Sequence, residues 1–354
     1  MALQQDVQSK SSAVATPRAN VLWIATRDHG HFSEYRRLLT AELGAHGITM
    51  DTQPFDGPAT DFYAAIDDHW TVFASAALRG LLTGRRTVGL FFRPGQCFGE
   101  KRRAPFKRLV FGVLSRLPRT SVLSILPNAV DPRFAQVSTD WIYDPQLWDL
   151  HYFGMPPADA FPALDREILE AAAGRQIVLS LGQVELRKGF DFFCRIWCDS
   201  PEIRAKYLFV SAGKVNEESR AAAKKFAAAG GLLIDRRMEE AELRHLYRHA
   251  ALIWSCYNPN HDQASGILGR AVQLGVPVIV RETSYLDKLS KHLDHPTVAI
   301  PFREPAKAAQ ALLIWCPVAV DRTAVEARPR MMRERSLDVL ARHLGRRTTA
   351  PTSH

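Results

Sequence analysis

Two strand-to-helix junctions in the second half of the chain carry the residue types best suited to holding an anion. The first runs from an apolar segment at 177–181 through Gly182, Gln183, Val184, Glu185, Leu186, Arg187, Lys188 and Gly189 into an apolar-periodic stretch from Phe190. The second leaves 252–255, passes a polar loop to Asp262, Gln263, Ala264, Ser265 and Gly266, and enters the helical pattern of Ile267, Leu268, Gly269, Arg270 and Ala271. In an open parallel sheet, loops leaving the carboxyl ends of the strands converge on one crevice, and the helix starts behind them point unpaired N–H groups into it. A lysine on one loop and a Ser-Gly helix start on the other suit a diphosphate: glycine lets phosphate approach the backbone, and the helix dipole favours negative charge. Each residue also has a plainer role open to it. Lys188 is then a surface residue at a helix start, Ser265 and Gly266 a helix cap, Asp262 a turn former and Arg270 a residue of a solvated face.

These junctions need strands and helices to position them, and the sequence alternates the two. Strand-like runs fall at 20–26, 62–66 and 87–92, then at 177–181, 207–211, 232–235, 252–255, 277–280 and 297–300, with helical patterns between them. That rhythm predicts an α/β chain of βαβ units with parallel sheets. The length of 354 residues predicts two domains. A proline-rich stretch with Pro145, Pro156, Pro157 and Pro162 places a linker at 151–175, between a first domain at 20–150 and a second at 176–320. Residues 1–19 read as a disordered leader, and 321–354 as a closing helix with a disordered tail. No run is long and apolar enough for a membrane span, and 1–20 lacks the apolar stretch of a signal peptide, so a cytoplasmic protein is expected. Five cysteines without zinc spacing fit a reducing compartment and read as core or loop residues.

The net charge of +9 calls for an anionic partner: a nucleotide, a lipid headgroup or nucleic acid. No interleaving of aromatic and basic residues supports nucleic acid. One segment, 101–117, crowds Lys101, Arg102, Arg103, Lys107 and Arg108 beside the apolar Phe106, Leu109, Val110, Phe111, Val113, Leu114 and Leu117. It reads either as a helix for an anionic membrane surface or as an ordinary helix that buries Leu109, Val110, Val113 and Leu117.

The two junctions resemble the group 1 (family 4) glycosyltransferases. The loop from Gly182 to Gly189 is similar to that family's G-R-x-x-x-x-K-G, and Asp262 to Ala271 with Gly275, Pro277 and Val278 is similar to its E-G-F-G-x-x-x-x-E-A and A-x-G-x-P-V-V run. Pro127, Asn128, Val130 and Asp131 resemble its I-P-N-G-V-D segment. The resemblance implies the GT-B fold, two Rossmann-like doubly wound domains facing across a cleft. It also implies a glycosyltransferase that moves a sugar from a nucleotide-diphosphate sugar to a saccharide or lipid-linked saccharide, with retention. In that reading Gly182, Gln183, Lys188, Ser265, Gly266 and Arg270 bind the donor diphosphate, and Asp262 faces the donor sugar. Two positions depart from the family pattern: Gln183 replaces an arginine that holds diphosphate, and Arg270 replaces a glutamate that binds the nucleotide ribose.

In the first domain the resemblance implies a histidine at a strand end near the reacting sugar. His69 fits by position, with Asp67 and Asp68 beside it to tune its pKa. His29, Gly30, His31 and Arg93 are candidates for an acceptor or phosphate loop. Asp67 and Asp68 lack the D-x-D spacing of a metal site, so neither a catalytic metal nor a cofactor is expected, and cations with a helix start would stabilise the leaving diphosphate. A nucleotide-sugar epimerase and a non-catalytic binding subunit of the same fold stay open.

Overall fold

The computed structural model describes residues 19–25, 31–67, 69–99, 102–317 and 320–345. His29, Gly30, Asp68, Lys101, nearly all of the leader and the last nine residues lie outside that set, as does the side chain of His31.

The first lobe is a six-stranded sheet of β1 (Ala19–Ile24), β2 (Ile48–Asp51), β3 (Thr60–Tyr63), β4 (Thr87–Phe91), β5 (Thr120–Ser124) and β6 (Asp140–Trp141). All pairs are parallel, in the order β2-β1-β3-β4-β5-β6. Three helices connect the strands: α1 (His31–Gly44), α2 (Trp70–Thr83) and α3 (Ala104–Leu114). Two short helices, α4 (Leu150–Phe153) and α5 (Pro162–Ala172), occupy the stretch expected to be a linker. Asp165 on α5 pins that stretch to the second lobe by pairing with His245 and His249, each at 2.6 Å.

The second lobe repeats the plan with β7 (Gln176–Leu181), β8 (Tyr207–Ala212), β9 (Leu232–Ile234), β10 (Leu252–Ser255), β11 (Val278–Arg281) and β12 (Thr297–Ile300). Its order is β12-β11-β10-β7-β8-β9, again all parallel. Around it lie α6 (Phe190–Asp199), α7 (Pro201–Lys206), α8 (Arg220–Ala228), α9 (Glu240–Leu246), α10 (Gly266–Leu274), α11 (Tyr285–His292) and α12 (Pro305–Ile314). Every strand expected in this half is present. Strands covered on both faces must be apolar throughout, and all six residues of β8 are buried. The core of this lobe is aromatic: the Phe193 ring of α6 lies tilted at 4.7 Å from Phe209 and edge to face at 5.2 Å from Trp254, with Trp197 and Phe226 closing the cluster.

The last helix, α13 (Arg322–Leu344), returns to the first lobe. The Leu344 carbonyl accepts from Thr60 Oγ1 at 3.3 Å, Ser336 Oγ accepts from the Tyr143 N–H at 3.1 Å, and Arg335 lies 3.8 Å over the Trp141 ring. Its N-terminus is capped by Asp321, whose carboxylate accepts from the N–H groups of Thr323 and Ala324.

Both sheets reverse their strand order once, between β1 and β3 in the first lobe and between β7 and β10 in the second. At such a reversal the loops diverge to opposite faces and leave a crevice at the strand carboxyl ends. In the second lobe the crevice is closed tightly at its floor. Gly189 has φ +74°, and a Cβ there would stand 2.2 Å from the Cys256 carbonyl oxygen. Gly189→Ala therefore combines left-handed strain with a backbone clash, and should lower stability by about 3 kcal/mol or more, measured as a shift in the urea midpoint.

Candidate functional site

The loop after β7 and the loop after β10 are tied together at the switch point. Trp254 Nε1 donates to the Lys188 carbonyl at 3.1 Å, and the Asn258 N–H donates to the Arg187 carbonyl at 3.1 Å. Arg187 pairs with Glu185, which is buried. Lys188 is partly buried, and its ammonium lies over Gly182, 3.3 Å from where a Cβ would sit. Among the described residues none accepts a hydrogen bond from that ammonium. Burial, the largest effect, lowers its pKa to about 8; Glu185 opposes this and Arg187 adds to it. An ammonium held out of water without a partner is a site that gains from an arriving anion.

His261, which the sequence reading did not single out, reports the local potential. Burial comes first, then the cations Arg187 and Lys188, and Arg93 of the first lobe adds to them, so that its pKa falls to about 4 despite Glu185. Three cations from two segments thus act on this imidazole: Arg187 and Lys188 from the loop after β7, and Arg93 from the end of β4. The turn after β4 approaches the same place: a Cβ on Gly95 would lie 4.0 Å from the Asp262 carbonyl oxygen.

The helix start at α10 is built differently from the expectation. Ser265 caps it, its Oγ accepting from the Leu268 N–H at 3.2 Å and sharing a 2.8 Å hydrogen bond with the buried Tyr257 hydroxyl. Gly266 is needed for a close approach, but the approaching group is the chain's own. A Cβ there would stand 2.2 Å from Gln146 Oε1, and one on Gly269 would stand 2.4 Å from the Gln146 carbonyl oxygen. Gln146, on the segment after β6, covers the first turn of α10. A phosphate at the Gly266 N–H would have to move that amide aside.

Arg270 is a correction. Expected at the diphosphate, it is buried and bound on all three nitrogens: Nε and Nη2 to Asp149 at 3.2 and 3.0 Å, Nη1 to Glu240 at 2.7 Å, and Nη2 to Glu34 of α1 at 3.2 Å. These carboxylates raise its pKa further against the opposing effect of burial. Asp149 also accepts from Gln273 Nε2 at 2.9 Å. The arginine closes an ion network between the lobes.

Asp262 is anchored rather than turned wholly to a ligand. Its Oδ1 accepts from the Tyr285 N–H at 2.9 Å and pairs with Arg281 at 3.1 Å, which leaves Oδ2. His69 is exposed at the start of α2 with no side-chain cap bond. Asp67, expected beside it, is buried and accepts from the N–H groups of Phe92 at 3.0 Å and Arg93 at 2.7 Å, while Asp68 lies outside the described residues. Gln183 is exposed on the loop.

A cavity of about 500 Å³ opens beside this site at the ends of β10, β11 and β12, lined among others by Asn258, Asn260, Arg281 and Phe302; neither Lys188 nor Gly266 reaches it. Asp165, His245 and His249 place three ligand atoms within 4.8 Å of one another. Both imidazoles, however, stand 2.6 Å from the same carboxylate oxygen. Two ligands of one tetrahedral ion lie about 3.3 Å apart, so hydrogen bonding accounts for the group.

No model of a protein family matches the chain, and no curated protein matches its sequence. Its backbone does match solved structures. An α,α-trehalose-phosphate synthase (UDP-forming) from Burkholderia xenovorans, solved with glucose-6-phosphate, shares 14% identity over 88% of this chain and 84% of its own, with a TM-score of 0.55. WaaG, a glycosyltransferase involved in lipopolysaccharide biosynthesis, shares 13% over 90% and 95%, with a TM-score of 0.53. HepE from Anabaena, solved with UDP and glucose, shares 13% over 92% and 95%, with a TM-score of 0.52. The chain has the GT-B fold. In this GT-B chain the Lys188 loop and the α10 start both belong to the second lobe, while Gln146 reaches α10 from the first and Arg93, paired there with Asp67, acts on His261.

The Arg270 network gives a direct test of how the GT-B lobes are held. Arg270→Ala leaves the buried Asp149 without its cation, a change that costs about 3–5 kcal/mol. Thermal unfolding of that variant should show a midpoint several degrees lower, and an unchanged midpoint would mean the network contributes nothing to stability.

Proposed function

We propose that this GT-B chain is a glycosyltransferase, whose second lobe grips a nucleoside-diphosphate sugar and whose first lobe presents a saccharide or lipid-linked saccharide. The observation that carries the reading is the Lys188 ammonium at the β7–β10 switch point, without a hydrogen-bond acceptor among the described residues and beside Arg187, with Arg93 acting on the neighbouring His261. The structural likeness to HepE, solved with UDP and glucose, and to a UDP-forming synthase supports the same ligand class.

In the proposed reaction the acceptor oxygen bonds to the anomeric carbon as the bond from that carbon to the diphosphate oxygen breaks. Negative charge grows on the departing diphosphate, where Lys188, with Arg187 and Arg93 near, stabilises it without a divalent cation. The proton of the acceptor hydroxyl leaves on a phosphate oxygen of the departing group, on the same face, and configuration is retained. In this reading Oδ2 of Asp262, whose Oδ1 is already engaged, takes a sugar hydroxyl. Gln146 is the group that yields when phosphate meets the Gly266 and Ile267 N–H groups, which gives the first lobe a means of sensing an occupied second lobe.

The protonated lysine is the form that binds. With a free pKa of about 8, it is mostly charged at pH 7 and mostly neutral at pH 9, so affinity for a nucleoside diphosphate should fall about tenfold between those values. Calorimetric titration with UDP, GDP and ADP should identify the base and show that fall. Lys188→Ala should weaken binding and turnover about tenfold and flatten the pH dependence. A variant with wild-type affinity and the same pH profile would sink the proposal.

A further inference from the structure

We infer that the outer face of α2 and α3 is a docking surface for an anionic lipid bilayer. The two helices cover the same side of the first sheet and share one small core, in which Phe73, Ala76 and Ala77 of α2 meet Phe111 and Leu114 of α3. Trp70 and Phe106 join their starts edge to face at 5.8 Å. Their outer sides therefore form one continuous surface.

That surface is apolar at its centre and cationic around it. Leu109, expected in the core, is 66% exposed; Val113, expected with it, is 52% exposed, and Phe106 57%. These three lie at i, i+3 and i+7 of α3, on one face. On α2, Val72, Leu78 and Leu82 are also exposed, the last at 90%. The segments 69–86 and 102–119 hold Arg79, Arg85, Arg86, Arg102, Arg103, Lys107, Arg108, Arg116 and Arg119, and no aspartate or glutamate. Those nine cations equal the net charge of the whole chain, +9, so the rest of the protein is balanced and its excess charge sits here.

An apolar stripe within a ring of cations is what an acidic headgroup layer accepts: the charges bind the phosphates and the side chains enter the acyl boundary. A second copy of the chain is disfavoured, since a two-fold contact would set nine cations against nine. Nucleic acid would meet leucine and valine where it needs stacking rings. The surface also adjoins the cleft. Lys107 Nζ donates to Gln96 Oε1 at 3.0 Å, in the turn that faces Asp262. Docking would hold the mouth between the lobes at headgroup level.

The surface is independent of the donor site, so a lipid readout and a nucleotide readout can fail separately. The full chain is sedimented with vesicles of phosphatidylcholine alone and with vesicles that also contain phosphatidylglycerol. It should sediment only with the second kind, and be released at roughly 1 M salt. Arg102→Glu with Arg103→Glu, and separately Leu109→Ser with Val113→Ser, should each lower the bound fraction about tenfold. All four positions are exposed, so the unfolding midpoint and nucleotide affinity should stay at their wild-type values. Absence of sedimentation with anionic vesicles, equal sedimentation with both kinds, or a dimer in light scattering that the Leu109→Ser, Val113→Ser variant abolishes would each overturn the inference.

Discussion

One buried guanidinium fixes how the two lobes of this protein stand to each other. Arg270 rises from α10 in the second lobe and binds Glu34 of α1 in the first, with Asp149 of the connecting segment between them. The desolvation of such a charge is offset only when every lone pair around it has a donor. Here the offset comes from three carboxylates and the Gln273 amide, so the position of α10 is set by charges that belong to both lobes. The Gln146 approach to Gly266 and Gly269 depends on this setting, because the same segment carries both Asp149 and Gln146. Burial raises the pKa of Asp149 and of Glu34, while Arg270 pulls both down, so the network is a balance of large opposing effects rather than a simple attraction.

The electropositive place beside it follows from topology. Parallel strands that reverse order at β7 and β10 bring two loops together at their carboxyl ends, whatever the loops contain. What this sequence adds is a lysine without an acceptor among the described residues, an arginine whose partner is a buried glutamate, and a histidine whose pKa is lowered first by burial and then by those two cations. The first lobe contributes Arg93, held at the end of β4 by backbone bonds to Asp67. The aspartate that looked like a tuner of His69 thus positions a different residue.

Much of the second lobe was legible because local pattern and tertiary role agree there. Strands such as β8 are continuous apolar runs, and the Ser265 cap has a local signature that its structure keeps. What stayed hidden involves contacts between residues distant in sequence. Nothing in the neighbourhood of Arg270 announces Glu34, and nothing beside Gly266 announces Gln146, so both residues were placed at a ligand that the local motif suggests. His261 lies in a loop with no period, and its surroundings come from its burial and from cations on two other segments. For α3 the apolar positions were visible but their facing was not. Phe111 and Leu114 fill the core, and Leu109 and Val113 point out, a rotation that composition alone does not settle.

The return of α13 to the first lobe has a consequence for biosynthesis. Met332, Leu337, Leu340 and Leu344 are buried, and the helix packs on β6 and α1, whose partner residues Asp140 and Glu42 precede Arg342 and Arg333 by 202 and 291 positions. During translation at the usual pace of roughly 5–20 residues per second, that flank of the nascent first lobe faces solvent while the entire second lobe is being made. The amino-terminal half is thus completed last, and a chaperone that shields its open seam would have tens of seconds in which to act.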